Sequence, residues 1–555
     1  MTTRPITEVA NELGLAPERV LPWGRNRAKI ELGAASSDAS KKHAGRLVLV
    51  SAINPTPAGE GKTTTSIGLA MALRRLGEKT VVCLREPSLG PVFGVKGGGT
   101  GGGKASLFPA DAINLHFTGD IHAITSAHNL LSAMADNALH FGLSFGDRGK
   151  LDPRQVNWAR ALDMNDRALR NVVLGLGRKA DGVPRQERFD ITAASEIMAI
   201  LALAKDQADL SARLSRVVVG QSDSGGPITA GDLGASEAMS ALLIDALMPN
   251  LVQTLEGGPA LVHAGPFANI AHGCSSVVST RLGIESADWA VTEAGFGFDL
   301  GGEKFLDIKC REAGIWPRVI VLVATLRALK VHGGSPVKTA KEANQHRLDA
   351  GLTHLDKHLE TIAALGIKAV VAINRFPDDV ESELQSVQKA CEKHGVQAFV
   401  SEAFAKGGEG ALDLARGVIE AGRATDAAPP APRFAYETSD PVKTKILKIA
   451  KTFYGATGIA LTPRAEKDLE RVEKAAPPYV CMAKTQYSLS DDPVLVGRPH
   501  DFGVTVREIR LSAGAGFAVA VTGEMMTMPG LPREPAAIAV RVDPDGRIRG
   551  LMQND

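Results

Sequence analysis

The sequence has few cysteines, and none of them is placed as zinc sites or redox disulfides usually require. Its 555 residues include five cysteines, which lie far apart and form no C-x-x-C pair. A disulfide framework and a cysteine-rich zinc site are therefore not expected. This cysteine usage fits a reducing compartment, and we expect the protein to be cytoplasmic.

The sequence also lacks long apolar runs and an excess of charge of either sign. No stretch approaches the roughly 20 apolar residues of a membrane span, and the opening MTTRPITE lacks the apolar segment of a signal peptide. Lys and Arg number 63 and Asp and Glu 62. We therefore expect no membrane association and no binding of nucleic acid through a generally basic surface.

Short apolar, β-branched runs alternate with longer helical patterns along most of the chain. Early runs at 47–53 and 79–84 flank a helical pattern over 62–75. This alternation predicts an α/β protein, with a mostly parallel sheet flanked by helices as in P-loop NTPases, and smaller α/β C-terminal domains. The later predicted strands are 260–263, 289–292, 319–323 and 368–373.

The length of the chain predicts more than one domain. A proline-rich segment at 427–432, AAPPAP, is typical of a linker. We predict a nucleotide-binding domain at 1–365, a second α/β domain at 366–430 and a C-terminal α/β domain at 431–555. Near the end of the first, 340–365 has the pattern of one or two helices, with Gly351 as a candidate break.

Residues 56–63 nearly match a phosphate-binding loop. The pattern G-x-x-x-x-G-K-[ST] is met at Gly61, Lys62 and Thr63, and is missed at Thr56. A strand before the loop and a helix after it suit an anion, because N–H groups at a helix N-terminus point at the ligand. Lys62 would neutralise the β- and γ-phosphates, and the Thr63 hydroxyl would bind Mg²⁺. The segment predicts ATP or GTP binding, the alternative being a plain glycine-rich turn. The predicted nucleotide-binding residues are Thr56, Pro57, Ala58, Gly59, Glu60, Gly61, Lys62 and Thr63.

Two segments after the second predicted strand are further candidates. Arg85 and Glu86 follow the strand directly, where a guanidinium can give paired donors to a γ-phosphate or an acyl phosphate. The alternative is an Arg–Glu pair that supports the loop. The glycine tract at 94–103, with Lys96 and then Lys104, is either a flexible linker or a backbone cradle for an anion. Its position at a strand end favours the cradle.

Three carboxylates follow the predicted strand at 289–292. Glu293, Asp299 and Glu303 could orient a metal-bound water, a substrate or each other, or they could be ordinary loop residues.

Aromatic residues make up only 5% of the chain, yet Phe376 and Phe404 both follow predicted strands. They either pack in a core, as phenylalanine usually does, or stack on a flat heterocycle. The neighbouring NRFPD at 374–378 matches the Asn-Lys-x-Asp motif of GTPases poorly.

Taken together, these segments resemble the formate–tetrahydrofolate ligase (10-formyltetrahydrofolate synthetase) family over essentially the whole chain. In that family the first position of the phosphate loop normally departs from glycine. The length resembles the monofunctional bacterial form, since no dehydrogenase/cyclohydrolase domain precedes the loop. The resemblance rests on 56–63, 85–91 with the glycine tract, 117–122, 263–276 and 291–304.

The resemblance implies a reaction of one-carbon metabolism, in which ATP, formate and tetrahydrofolate give 10-formyltetrahydrofolate, ADP and phosphate through formyl phosphate. It implies Lys62, Arg85 and Glu86 as catalytic residues. Phe376 and Phe404 would sandwich the pterin of the folate, although the family commonly has tryptophan at the position of Phe404. ATP with Mg²⁺, tetrahydrofolate as substrate, a monovalent cation (K⁺ or NH₄⁺) and a homotetramer are also implied.

Two other functions remain open on the sequence. One is a P-loop GTPase or ATPase switch without acyl-phosphate chemistry. The other is a kinase or an ATP-dependent ligase for another small carboxylate.

Overall fold

The computed structural model describes residues 3–34, 45–56, 59–94, 99–523 and 525–551, and its helices and strands alternate along the chain. Within these ranges no helix combines the length and the apolarity needed to cross a bilayer. The α-helices are α1 (Ile6–Leu13), α2 (Lys62–Arg75), α3 (Leu89–Phe93), α4 (Ala110–Asn114), α5 (Asp120–Phe141), α6 (Glu196–Leu203), α7 (Gln207–Ser215), α8 (Ser236–Leu242), α9 (Val277–Ser286), α10 (Arg311–Ala313), α11 (Leu326–His332), α12 (Gln345–Ala364), α13 (Glu381–Lys393), α14 (Ala403–Lys406), α15 (Leu412–Arg423), α16 (Val442–Ile449) and α17 (Pro463–Ala475). The strands are β1 (Val20–Pro22), β2 (Ala28–Ile30), β3 (Arg46–Ala52), β4 (Thr80–Leu84), β5 (Gly101–Gly102), β6 (Ala105–Phe108), β7 (Leu151–Val156), β8 (Arg160–Leu162), β9 (Val172–Leu174), β10 (Arg185–Glu187), β11 (Phe189–Ile191), β12 (Val218–Ser222), β13 (Pro227–Thr229), β14 (Asn250–Thr254), β15 (Pro259–Val262), β16 (Trp289–Glu293), β17 (Val319–Ala324), β18 (Lys368–Asn374), β19 (Gln397–Ser401), β20 (Gly458–Leu461), β21 (Tyr479–Ala483), β22 (Gly503–Val506), β23 (Glu508–Ser512), β24 (Phe517–Val521), β25 (Arg541–Val542) and β26 (Ile548–Arg549).

A twelve-stranded sheet forms the centre of the molecule. Its strands run in the order β1-β2-β14-β15-β4-β16-β3-β17-β18-β19, and β6 joins β5 to β14. Every pair from β15 to β19 is parallel, whereas the pairs among β1, β2, β14 and β15 are antiparallel. The predicted α/β class with a mostly parallel sheet is therefore confirmed, and the antiparallel edge is an addition to it.

Helices cover both faces of the parallel strands, which explains why these strands are apolar throughout. In β3, Val48 and Val50 pack in the cluster that contains α2 and α15. Leu47 and Leu49 point to the opposite face, into the cluster that includes residues of α1 and α12. A strand buried on both sides has no polar face, so its sequence is a continuous apolar run rather than an alternating one.

The predicted elements around the phosphate loop are confirmed, and one prediction is wrong. The helix predicted at 62–75 is α2, and β3 and β4 occupy the two predicted strands beside it. By contrast, Gly351 does not break α12, which is a single helix of 20 residues. A Cβ at Gly351 would lie 1.9 Å from the carbonyl oxygen of Leu329. Glycine therefore serves the close packing of α12 on α11, not a turn.

An excursion of the chain between β6 and β14 was not anticipated from the sequence. It contains α4 to α8 and the short strands β7 to β13, which form small sheets of two or three strands. Its core consists mainly of α5 and α6 with Leu151, Trp158 and Leu210. Most of these strands, namely β8 to β11 and β13, have only three residues each, too few for a reliable periodicity.

Three smaller sheets and the helices α16 and α17 follow the proline-rich segment in the described part of the chain. One sheet contains β21, β24 and β23, the second pairs β20 with β22, and the third pairs β25 with β26. The strands of the predicted second domain, β18 and β19, hydrogen-bond into the central sheet, so 366–430 shares its sheet with the first domain. The division of the chain at 365 and 430 stays a prediction.

Candidate functional site

The phosphate loop connects β3 to α2 in the middle of the parallel part of the sheet. Gly59 and Gly61 have φ angles of 76° and 72°, in the region that favours glycine. Gly61 is the last residue before α2, so the N–H groups of the first helical turn, which no carbonyl of the same helix can accept, lie directly after it. Pro57 and Ala58 lie outside the described residues.

A buried carboxylate holds the loop in shape. Glu60 is only 3% exposed, and it accepts hydrogen bonds from the Thr56 N–H at 2.8 Å and the Thr56 hydroxyl at 3.0 Å. Its second oxygen accepts from the Thr325 hydroxyl at 2.8 Å. Burial raises the pKa of Glu60, while these hydrogen bonds and the Lys62 charge oppose the rise. Glycine at position 56 could not supply the hydroxyl, which gives the departure at Thr56 a structural reason.

The Thr63 hydroxyl, in the first turn of α2, and the Glu293 carboxylate, at the end of β16, form an oxygen pair suited to a metal ion. Thr63 donates a hydrogen bond from its hydroxyl to Glu293 Oε2 at 2.9 Å. Glu293 ends β16, the strand beside β3, and is 5% exposed. Hydroxyl and carboxylate oxygens are the ligands that Mg²⁺ prefers, so the two residues fit that ion. Among the described residues no cluster of three or more His, Cys, Asp or Glu side chains could hold a metal.

Arg85 and Glu86 follow β4, the strand on the other side of β16. The Arg85 guanidinium donates from Nη1 to the carbonyl oxygen of Pro266 at 3.2 Å, and its buried Nε has no hydrogen-bond partner in the described part of the chain. Glu86 is 3% exposed, and its Oε2 likewise has no hydrogen-bond partner among these residues. Burial, reinforced by the Asp120 charge, raises the pKa of Glu86 well above its ordinary value, and the Lys29 charge opposes this. Unused polar atoms therefore remain on both predicted residues.

The other two predicted loop carboxylates, Asp299 and Glu303, are both buried. Asp299 forms a fully buried ion pair with Lys484 at 2.7 Å, and it accepts a hydrogen bond from Asn54 Nδ2 at 3.2 Å. Glu303 is completely buried, and among the described residues neither of its oxygens has a hydrogen-bond partner. Of the three carboxylates, Glu293 is the one for which a hydrogen bond to the helix after the phosphate loop is seen within the described ranges.

The two phenylalanines follow neighbouring parallel strands. Asn374 and Ser401, at the ends of β18 and β19, lie opposite each other, and Phe376 and Phe404 come shortly after them. The Phe404 side chain is 52% exposed. The Phe376 ring has the Arg327 guanidinium over it at 4.1 Å from the ring centre. Core packing, the alternative considered for both rings, is wrong for Phe404.

The site contains one residue whose role was missed. Asn374 was noted only as part of a poor GTPase motif, yet its side chain hydrogen-bonds to the backbone of Glu60 and to the side chain of Thr65. A residue that ends a parallel strand beside the phosphate loop is a candidate for such a contact, because strand ends meet at one edge of the sheet.

Comparison with known proteins agrees with this arrangement. The family model for formate–tetrahydrofolate ligase matches residues 1–552. A formate–tetrahydrofolate ligase of Myxococcus xanthus (strain DK1622) is 60% identical over 557 residues, which cover all of both chains. The chain belongs to the formate–tetrahydrofolate ligase family. A ligase of the same name from Methylobacterium sp. (strain 4-46) is 52% identical over 556 residues, 99% of this chain and 98% of the other.

Membership of the formate–tetrahydrofolate ligase family makes the protein an enzyme, a ligase of one-carbon metabolism. The similarity includes the excursion between β6 and β14 as well as the phosphate loop and the C-terminal sheets, since the match runs almost from end to end. A nucleotide-dependent switch is not favoured by this result.

Proposed function

We propose that the site at the ends of β3, β16 and β4 joins formate to tetrahydrofolate with ATP, and releases 10-formyltetrahydrofolate, ADP and phosphate. The observation that supports this best is the convergence of three kinds of group at one edge of the sheet. These are the phosphate loop after β3, the oxygen pair of Thr63 and Glu293, and the guanidinium of Arg85. A phosphoryl donor and a small anion can be held side by side there.

In the first step, a formate oxygen attacks the γ-phosphorus of ATP, the bond to the β,γ-bridging oxygen breaks, and ADP leaves. The products are formyl phosphate and ADP. Residues 56–63 would bind the ATP phosphates through backbone N–H groups, and Lys62 would stabilise the charge on the transferring phosphoryl group. Thr63 and Glu293 would hold Mg²⁺, which would supply further neutralisation of this charge.

In the second step, N10 of tetrahydrofolate attacks the formyl carbon, the carbon–oxygen bond to phosphate breaks, and the departing phosphate takes the proton that N10 loses. Arg85 has an Nε without a hydrogen-bond partner among the described residues, which suits the formyl phosphate, and a guanidinium binds paired oxygens well. Glu86 adjoins it as the third proposed catalytic residue. Its raised pKa favours the protonated carboxyl, which can donate a hydrogen bond.

The pterin would be bound by Phe376 and Phe404. Their support is the exposure of Phe404 and the position of both residues after adjacent strands on the phosphate-loop side of the sheet. Arg327 already covers one face of the Phe376 ring, so the opposite face is the one proposed for the pterin.

Other parts of the proposal concern the state of the enzyme. It would work as a homotetramer, require a monovalent cation, K⁺ or NH₄⁺, and be located in the cytoplasm. The cytoplasmic location is supported by the five cysteines, which are all buried free thiols.

The proposal is tested by following ADP release from the purified protein with ATP, formate and tetrahydrofolate, and then with each omitted. We expect release to depend on all three and 10-formyltetrahydrofolate to accumulate with ADP. Steady hydrolysis of GTP without folate would instead identify a switch. Equal rates with acetate or bicarbonate would identify a ligase or kinase of different substrate range.

A further inference from the structure

Both polar atoms of the Asn374 side-chain amide bind the phosphate-loop segment. Its Nδ2 donates to the carbonyl oxygen of Glu60 at 2.8 Å, and its Oδ1 accepts from the Thr65 hydroxyl at 3.0 Å. The carbonyl can only accept, so the orientation of the amide is determined by its contacts. The approach is also close, because a Cβ on Gly61 would lie 3.0 Å from Nδ2. Asn374 thus links the phosphate loop to the end of β18 by hydrogen bonds.

The same residue leads directly to the proposed pterin site. Asn374 is the last residue of β18, and Phe376 follows two positions later. The intervening Arg375 donates its N–H to the carbonyl oxygen of Ser401 at 3.0 Å, and the Phe376 N–H donates to Asp379 at 2.8 Å. A connection this short, with its backbone hydrogen-bonded, transmits displacement of the Asn374 backbone to the ring.

A second contact joins the same two regions. A Cβ at Gly68 of α2 would lie 2.4 Å from the Cβ of Ala403, the residue before Phe404. The helix that begins at the phosphate loop therefore lies directly against α14, which carries Phe404. Both proposed pterin-binding rings are fastened to the nucleotide-binding segment.

We propose that Asn374 is a positioning residue that couples the phosphate loop to Phe376, so that a nucleotide and a folate bind cooperatively. The inference rests on the proposed function, because it takes Phe376 as a surface for the pterin. Phosphates that order the Glu60 carbonyl also order the amide bound to it, and the amide holds the end of β18. Thermodynamic linkage then requires the folate to tighten nucleotide binding by the same factor.

The experiment measures the dissociation constant of tetrahydrofolate by calorimetry, without nucleotide and with saturating MgADP, and repeats the measurement with the two ligands exchanged. In the wild-type protein we expect MgADP to tighten tetrahydrofolate binding by about fivefold or more, the lower end of typical coupling. In Asn374→Ala the ratio should fall towards one while each ligand still binds alone. An unchanged ratio in Asn374→Ala, or a ratio of one in the wild type, overturns the proposal.

Two further sets of variants separate coupling from loss of structure. Thr65→Val removes the hydroxyl on the opposite side of the contact at nearly constant shape and should also lower the ratio, whereas Thr65→Ser should keep it. Asn344→Ala is the matched control, because its side chain accepts a hydrogen bond from Arg347 N–H at the start of α12 instead of binding Glu60 or Thr65. It should keep the wild-type ratio. If Asn374→Ala does not fold, the Thr65 pair decides, and equal ratios in Thr65→Val and Thr65→Ser overturn the proposal.

Failure of the proposed function gives a different result. If the wild-type protein binds no tetrahydrofolate and releases no ADP in response to formate, the proposed function is wrong, and the coupling is overturned with it. If the wild type is fully active and the ratio survives the loss of Asn374, only the coupling is wrong.

Discussion

The phosphate half of the site and the folate half are built in opposite ways. Around the phosphate loop the polar side chains are buried and bound to each other, as Glu60 is to Thr56 and Thr325. In the folate half, by contrast, the Phe404 ring is 52% exposed, against 3% for Glu60. The phosphate half thus consists of polar groups held in place by hydrogen bonds, whereas the folate half presents an aromatic ring that solvent can reach.

The difference follows from what each half has to stabilise. Phosphoryl transfer develops charge at defined atoms, and it is accelerated by dipoles that are already in place before the reaction. A pterin is flat and largely apolar on its faces, and stacking tolerates an exchange of one aromatic ring for another. We therefore expect substitutions in the phosphate half to reduce enzyme activity much more than substitutions in the folate half.

The largest effect is expected for Lys62→Ala. Loss of a charge that stabilises the transferring phosphoryl group should lower kcat by about 10²–10³-fold, or about 2.7–4 kcal/mol. The rate of formate-dependent ADP release at saturating substrates measures it. Lys79→Ala, beyond the far end of α2, is the control and should stay near wild type. Wild-type turnover in Lys62→Ala would remove the residue from the mechanism.

A smaller loss is expected for Thr63→Val. The substitution removes the hydroxyl proposed to bind Mg²⁺, and we expect the Mg²⁺ concentration for half-maximal activity to rise by about tenfold or more. Thr63→Ser restores a hydroxyl and should restore most of the Mg²⁺ affinity. Identical Mg²⁺ dependence in Thr63→Val and the wild type would mean that the contact with Glu293 is purely structural.

Glu60→Gln should change how stability depends on pH. Burial raises the folded-state pKa of Glu60 above the ordinary glutamate value of 4.5, so the folded protein holds this proton more tightly than the unfolded chain does. The resulting stabilisation is present below that value and is lost as pH rises through the folded pKa. Relative to Glu60→Gln, the wild-type free energy of unfolding should therefore fall as pH rises above 4.5. Urea unfolding of both proteins across that range measures this, and parallel curves would contradict it.

The smallest effect is expected for Phe404→Trp in the folate half. A larger ring face should lower the KM for tetrahydrofolate a few-fold, in line with about 0.5–1.5 kcal/mol for an aromatic pair. Phe404→Leu should raise the KM. An unchanged KM in both variants would show that the exposed ring does not contact the folate.

Local patterns in the sequence were enough to predict the strand and the helix on either side of the phosphate loop. The apolar run of β3 and the helical pattern of α2 each depend on residues close together in the chain, and both elements are found as predicted. Gly351 shows the limit of such patterns. Nothing near it in sequence indicates that the backbone of Leu329 lies against it.

The residues of the candidate site show the same difference between local patterns and contacts of residues far apart in the chain. Gly61, Lys62 and Thr63 were recognised as a motif because their spacing alone places backbone N–H groups and a hydroxyl at a helix N-terminus. The partner of Thr63 could not be recognised, since Glu293 is 230 residues away. Thr56 hydrogen-bonds to Glu60, and Asn374 hydrogen-bonds to the phosphate-loop segment. These contacts likewise depend on side-chain directions that no local sequence pattern contains.

The class of fold, the nucleotide-binding loop and the family could be predicted from the sequence alone, because these depend on short-range periodicity, on spacing and on long matching segments. Which strand ends meet is a property of the folded molecule. β16 lies between β3 and β4, and β18 lies beside β19, so residues far apart in the chain become neighbours at one edge of the sheet. Strand order is set by the packing of whole elements, and for that reason the contacts of Glu293 and Asn374 became visible only in the folded molecule.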